Sequence, residues 1–189
     1  MLLPSHWTTP RLACRDARPD DGPLLMAALA ASADTAALDP AFGPAPEDEV
    51  QRHLSRHLQT PGEVCMQLVY RRDGGPFLGF WRLVRVPSRP QALGVEILWL
   101  DPAHRRQGLA REWVAGALEH LRGVASELWA RVYLANAPAL SFWMQAGLCR
   151  VVRHQGEFIH GLDGPGPHSL ILCTDIPPLE PDPTGVPPA

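Results

Sequence analysis

The sequence predicts an α/β fold: a mixed, largely antiparallel sheet of six to seven strands flanked by about four helices. Three observations carry this expectation. Apolar runs at 64–71, 77–86 and 93–100 are separated only by turn signals, Asp73-Gly74-Gly75 and the stretch from Pro87 to Pro90, which reads as an antiparallel meander. Beyond residue 100, helix-like and strand-like segments alternate, so helices should cover the sheet. A length of 189 residues with 46% hydrophobic content suits one compact domain with a full core. That domain is assigned to residues 1–176. Residues 177–189, with Pro177, Pro178, Pro181, Pro183, Pro187 and Pro188 and little to bury, are expected to form a mobile tail.

The elements follow in order. Residues 12–16 read as the first strand. Pro19-Asp20-Asp21 is a helix start, a fixed φ with two acids at the positive pole, and its helix should run to about residue 32. Asp39-Pro-Ala-Phe-Gly-Pro-Ala-Pro46 is dense in breakers and reads as a loop. A helix over about 47–58 would place Val50, Leu54 and Leu58 on one apolar face. After the meander come a helix over 108–122, a strand over 128–134, a helix over 137–146, and strands near 150–154 and 170–174.

Composition excludes several function classes. A formal charge of -3, with arginines spread along the chain, offers no basic field for nucleic acid. All 17 Lys+Arg residues are arginine, which codon bias explains, and the chain offers no ε-amine of its own. Cys14, Cys65, Cys149 and Cys173 form no Cys-x-x-Cys pair and read as buried reduced thiols. The apolar run at 24–31 is too short to span a bilayer, and Asp20 and Asp21 precede it where a signal peptide wants positive charge. No membrane association and a cytoplasmic location are expected.

The most informative segment runs from Leu100 through Asp-Pro-Ala-His104-Arg105-Arg106-Gln107-Gly108-Leu109-Ala110-Arg111. A strand end turns through an Arg/Gly loop into an amphipathic helix. Gly108 lets backbone approach a ligand, and the helix start presents unpaired N–H groups and a positive pole, so the segment reads as a phosphate cradle. A second segment, Asn136-Ala-Pro-Ala139-Leu-Ser-Phe142-Trp143-Met-Gln-Ala-Gly147-Leu148, follows the apolar run at 128–134.

The Arg105-x-x-Gly108-x-Ala110 loop resembles the acetyl-CoA pyrophosphate site of the GCN5-related N-acetyltransferase (GNAT) family. The Asn136 segment resembles that family's later motif, in which Asn ends a strand, Ala follows three places on and an aromatic residue seven on. Thr9-Pro10-Arg11-Leu12-Ala13-Cys14-Arg15 and Pro19-Asp20-Asp21 resemble the opening strand and helix cap of the branch that acetylates ribosomal proteins. The resemblance covers roughly residues 9–175 and implies the GNAT fold. It implies acetyl-CoA as co-substrate and transfer of an acetyl group by direct attack of a primary amine, a peptide N-terminus or a small-molecule amine. Homodimers are common in the family. The helices before residue 60 and their loop would wall the acceptor side.

Within that resemblance, backbone N–H groups of residues 106–110 would hold the pyrophosphate, including those of Gln107 and Leu109. Arg105, Arg106 and Arg111 would add screened charge attraction. Leu98, Trp99 and Leu100 match the strand whose backbone pairs with the pantetheine arm, and its N–H groups would polarise the thioester carbonyl. Asn136 would bind pantetheine or cap its helix, or both. Phe142 and Trp143 complete the cofactor-binding set. No metal is required.

Proton handling departs from the family pattern. The helix position that often carries a tyrosine acid is Trp143, and indole cannot deliver that proton. Arg131 stands where the peptide N-terminal branch has a glutamate. Glu96 would share a strand face with Gly94, the family's other glutamate position, if the pleat is regular, and is the candidate general base. Its bland alternative is a carboxylate paired with a neighbouring arginine. An ε-amine of pKa about 10.4 costs about 4.6 kcal/mol to deprotonate at pH 7, an α-amine of pKa about 8 only about 1.4 kcal/mol, so a low-pKa amine is the easier acceptor.

His53 and His57 share a helix face at the i, i+4 spacing of a metal pair but have no evident third ligand, and read as a solvated face. His104, His154, His160 and His168 are left unassigned. One alternative remains from another class, a CoA-binding sensor or interaction domain whose chemistry has lapsed. An ATP-binding reading fails, because no Gly-x-x-x-x-Gly-Lys-Ser/Thr occurs and no lysine exists to reach a phosphate.

Overall fold

The computed structural model describes residues 2–32, 46–155 and 169–178. Its strands are β1 (His6–Thr8), β2 (Leu12–Asp16), β3 (Val64–Arg71), β4 (Phe77–Val86), β5 (Arg89–Leu100), β6 (Glu127–Tyr133), β7 (Arg150–Gln155) and β8 (Ser169–Asp175). Four α-helices among the described residues, α1 (Gly22–Ala30), α2 (Glu47–Gln59), α3 (Leu109–Leu121) and α4 (Ala137–Gln145), flank one sheet. The sheet order is β1-β2-β3-β4-β5-β6-β8-β7. Every pairing is antiparallel except β5 with β6.

The sheet has eight strands, more than the expected six to seven. The extra one is β1, whose three residues are too few to show alternation. Trp7 anchors it: the ring is buried and its Nε1 donates to Gln67 Oε1 at 2.9 Å. The second meander turn is tighter than the stretch from Pro87 to Pro90, because Val86 already faces Arg89 and β5 begins there. The loop expected at 39–46 lies, but for Pro46, outside the described residues, as do His160, His168 and the tail beyond 178.

Helix α2 opens with Glu47, Asp48 and Glu49 and closes with Arg56 and His57, each matched to the helix dipole. Its buried face is Val50, Leu54 and His57, whereas Leu58 is 49% exposed. The apolar stripe therefore continues at i+7, and a histidine occupies the place expected for Leu58. His57 is no solvated residue, for its Nδ1 accepts from Met66 N at 3.2 Å. Cys149 is likewise exposed, against expectation, because it follows the left-handed Gly147 that ends α4; Cys14, Cys65 and Cys173 are buried and free.

The sheet separates two cores. Under α3 and α4 lie Trp81, Leu83, Leu93, Trp113, Val114 and Leu121, with Trp81 and Trp113 ring centroids 5.2 Å apart. Under α1 and α2 lie Leu25, Leu54, Leu68, Phe80 and Trp99. Each fully buried side chain of this size stabilises the fold by about 1.5–3 kcal/mol relative to exposure.

Strand β5 changes phase between these cores. Leu83 faces Val95 and Arg82 faces Ile97, so Glu96 is an extra residue, a β-bulge. Before it, Leu93 and Val95 face the α3 side; after it, Ile97 and Trp99 pack with the α1 side while Leu98 and Leu100 turn to α3. The regular pleat expected through Gly94 and Glu96 is thus interrupted at Glu96 itself.

Candidate functional site

The site is built where two parallel strands part. β5 pairs with β6 from Ala92 with Glu127 to Val95 with Ala130, and the pairing stops there. Residues 96–100 therefore present an open strand edge to a cleft of about 540 Å³, whose far walls come from α3 and α4. Asp101 N donates to Leu78 O at 2.8 Å. Alternation along an antiparallel pair then turns the amides of Trp99 and Ile97 toward β4 and those of Leu98 and Leu100 toward the cleft. This corrects the expectation for Trp99, whose N–H faces β4. Its indole is buried and stacks with Phe77 and Phe80 at centroid distances of 5.9 and 6.0 Å.

The turn from β5 into α3 forms the cleft's end. Asp101 accepts from Ala103 N at 2.8 Å, holding a single helical turn at Pro102–His104. Arg105 Nε then donates to Leu100 O at 2.8 Å, which fixes the loop to the strand. Arg106 and Gly108 both take left-handed backbone, φ 63° and 76°, and Gly108 is the N-cap of α3. Among the described residues, no protein acceptor takes the N–H groups of residues 106–110. Two αL residues bracketing Gln107 and a fresh helix start give a concave set of donors, as an anion site requires.

The structure brings the expected residues together with one exception. Glu96, Leu98, Trp99 and Leu100 line the cleft from β5, and Arg105, Arg106, Gly108, Leu109, Ala110 and Arg111 from the loop and α3. Asn136, Phe142 and Trp143 line it from α4. Gln107 does not: its side chain turns back to Ala103 O at 3.3 Å and its carbonyl accepts from Arg11 Nη1 at 3.0 Å. Arg111 is less free than expected, because its Nη2 donates to Gln145 Oε1 at 2.6 Å across the cleft, tying α3 to α4. Asn136 is a helix cap, accepting from Ala139 N at 3.2 Å, and it is buried in the cleft wall. The cap leaves its side-chain NH₂ available.

Ala139 of the Asn136 motif also lines the cleft, as do Ala130, Ser141 and Gln145, which sequence reasoning missed as site residues. Small residues at 130 and 139 leave the space, and the i, i+4 spacing of Ser141 and Gln145 was the available signal, since Gln145 Nε2 donates to Ser141 Oγ at 3.1 Å.

Glu96 projects from the bulge and forms an ion pair with Arg82 on β4. The guanidinium side is buried, and burial pulls Arg82 below its ordinary value while the Glu96 charge pulls it up. His53, on α2, lies within electrostatic reach of both. Burial pushes its pKa down, and Arg82 adds to that against opposing pulls from Glu49 and Glu96. His53 Nε2 sits 3.6 Å from Glu49 Oε1. No cluster of metal-binding residues occurs among the described residues, and no helix there is long and apolar enough to cross a membrane.

The model of the acetyltransferase (GNAT) family matches residues 31–148. An acetyl transferase from Salmonella typhimurium that modifies the N-terminal serine of a 50S ribosomal subunit protein superposes with TM-score 0.74 and 14% identity, over 89% of this chain and 97% of that chain. Spermidine N-acetyltransferase from Vibrio cholerae, solved with CoA and spermine, superposes with TM-score 0.71 and 15% identity, over 89% and 97%. The yncA protein of Salmonella typhimurium, solved with its cofactor acetyl-CoA, gives TM-score 0.65 and 13% identity, over 91% and 98%. At these identities the likeness shows the fold alone. No curated protein sequence matches. The family model spans the loop, the splayed strands and the Asn136 segment, and by that match the chain belongs to the GNAT acetyltransferase family.

Proposed function

We propose that this protein moves an acetyl group from acetyl-CoA to a primary amine by direct attack. The observation that carries the reading is the junction of an unpaired β5 edge with the donor-lined turn at Gly108 in one cleft. The residues present fit the carrier: the orphan N–H groups of 106–110 suit its diphosphate, and the open edge at Leu98 and Leu100 suits the amides of its pantetheine arm. Acetyl-CoA supplies an activated acyl carbon. This chain's amides at Leu98 and Leu100 hydrogen-bond what the edge presents, and a carbonyl oxygen gaining negative charge there is stabilised without reorganisation.

Glu96 is the general base of this reading, taking a proton from the attacking amine directly or through water. Its carboxylate is also engaged by Arg82, so the amine that needs least help is the better acceptor. A peptide N-terminus or another amine of low pKa fits, because it costs about 3 kcal/mol less to deprotonate at pH 7 than an ε-amine. Trp143 offers no proton, leaving solvent to protonate the departing thiolate. The test is titration with acetyl-CoA followed by thiol release with a panel of peptides and small amines. Binding with turnover favouring α-amines supports the reading. Tight binding without turnover on any amine would make the protein a sensor, and absence of binding would remove acetyl-CoA altogether.

A further inference from the structure

We propose that Arg11, from the hairpin between β1 and β2, is a positioning residue that aims the Gly108 amide into the cleft. This inference rests on the acetyl-CoA reading above. Arg11 lies almost a hundred positions before the loop in sequence, yet it holds the loop at two points. Its Nη1 donates to Gln107 O at 3.0 Å, and its Nε donates to Glu112 Oε2 at 2.5 Å on the first turn of α3. Its backbone N donates to Glu112 Oε1 at 2.8 Å, where Thr9 Oγ1 also donates at 2.5 Å.

The geometry gives this clamp a direction. A trans peptide is planar, with C=O and N–H on opposite sides. Pinning Gln107 O outward on Arg11 therefore turns the N–H of Gly108 the other way, into the cleft that Arg106 and Gly108 line and Gln107 does not. The left-handed conformations of Arg106 and Gly108 on either side need such an external hold, since Arg106 carries a side chain at φ 63°.

Charge supplies the second half. Glu112 sits in the first turn of α3, the turn whose positive pole should meet an anion, and an unneutralised carboxylate there would repel a diphosphate. Burial alone would raise its pKa, but hydrogen bonds from Thr9 and Arg11 outweigh that and hold it below the ordinary range. Arg11 thus spends its charge on Glu112 and its fork on Gln107. Lysine has one compact ammonium and cannot serve both acceptors in the same plane.

The experiment measures KM and kcat of the full chain with acetyl-CoA and with S-acetylpantetheine, which lacks the diphosphate, alongside equilibrium binding of acetyl-CoA. Arg11→Ala is expected to raise KM and Kd for acetyl-CoA about tenfold, the scale of a partly exposed charge-assisted contact, with kcat nearly unchanged. Kinetics with S-acetylpantetheine should not move. Arg11→Lys should recover part of the loss. Glu112→Gln in the Arg11→Ala background should recover the repulsive share and leave the rest. Equal losses on both thioesters, or an Arg11→Ala variant that binds as the parent does, would overturn the clamp while leaving the acetyl-CoA reading in place. If Arg11→Ala fails to fold, the comparison of Arg11→Lys on the two thioesters decides by the same criterion. A parent protein that binds no acetyl-CoA overturns the reading beneath both.

Discussion

Glu96 reaches from the bulged position of β5 to the guanidinium of Arg82 on β4, and the two side chains sit at 42% and 9% exposure. The pair joins a solvent-facing carboxylate at the cleft to a buried cation beneath it. Removing the acid's charge therefore acts on the cleft and on the core at once.

Glu96→Gln should lower kcat by roughly 10²-fold, the usual range of general-base assistance, while leaving acetyl-CoA affinity unchanged. It should also cost stability, because Arg82 keeps its burial and loses its charged partner. Stopped-flow thiol release and a thermal melt separate the two effects. A kcat within threefold of the parent would leave Glu96 as a structural partner of Arg82.

Gly108→Ala tests the turn. Its φ of 76° is the left-handed region, and an added Cβ would find Arg11 Nη2 at 3.6 Å, ordinary contact, so the cost is conformational. We expect about 1–2 kcal/mol, a fall in Tm of roughly 2–8 °C, and weaker acetyl-CoA binding by calorimetry.

Asn136→Ala removes the acceptor for Ala139 N and so the cap of α4. The expected loss is about 1 kcal/mol, or roughly 2–4 °C in Tm for a chain of this size. Asn136→Ser should restore most of the stability. A binding defect that persists in the serine variant would assign the side-chain amide to the ligand as well.

Acid should destabilise the fold chiefly through three carboxylates. Asp21, Glu112 and Glu127 are each pushed up by desolvation and pulled further down by their partners: Arg15 and Arg18 for the first, Thr9 and Arg11 for the second, Arg150, Trp129 and Arg89 for the third. A carboxyl whose folded pKa lies below its unfolded value binds fewer protons when folded. Its stabilisation is complete above the unfolded value near pH 4 and is lost as pH falls through the folded one. Chemical denaturation across pH 3–8 should show a shallow fall beginning near pH 6.5, where the unfolded state protonates His53 before the folded one does, and a steeper decline below about pH 5 from the carboxylates. Glu127→Gln should flatten part of that decline.

Thiol chemistry should report the burial pattern. Desolvation pushes the Cys14, Cys65 and Cys173 thiols up, and all three are enclosed, whereas Cys149 is exposed. An aromatic disulfide reagent should titrate one thiol in the native protein and four in denaturant. Cys149→Ser should abolish the native reaction.

Local chemistry made much of this molecule readable in advance. The breaker-rich turns, the acids opening α2 and the Arg105 to Ala110 loop each act through near neighbours, so their residues announce them. Most of the features that escaped depend on partners outside their own element. β1 exists because Trp7 finds Gln67, sixty positions away. Leu58 yields its place to His57 because a backbone N–H at Met66 needed an acceptor. Gln107 turns out of the cleft because Arg11 takes its carbonyl. The bulge at Glu96 was hidden for a related reason: β5 is apolar on both faces, and a strand flanked by two cores gives no alternation from which a slip of phase can be seen.

That slip has an evolutionary corollary. Flattening the bulge with all its residues kept would rotate Ile97 through Leu100 by half a turn and send Trp99 into the layer filled by Trp81 and Trp113, so the extra residue at 96 is what holds the two layers in phase. Exchanging the side chain at 96 keeps the strand register on either side and is felt in the core through Arg82 alone. The bulge thus gives this scaffold a position where reactivity can drift while the architecture on either side stays fixed.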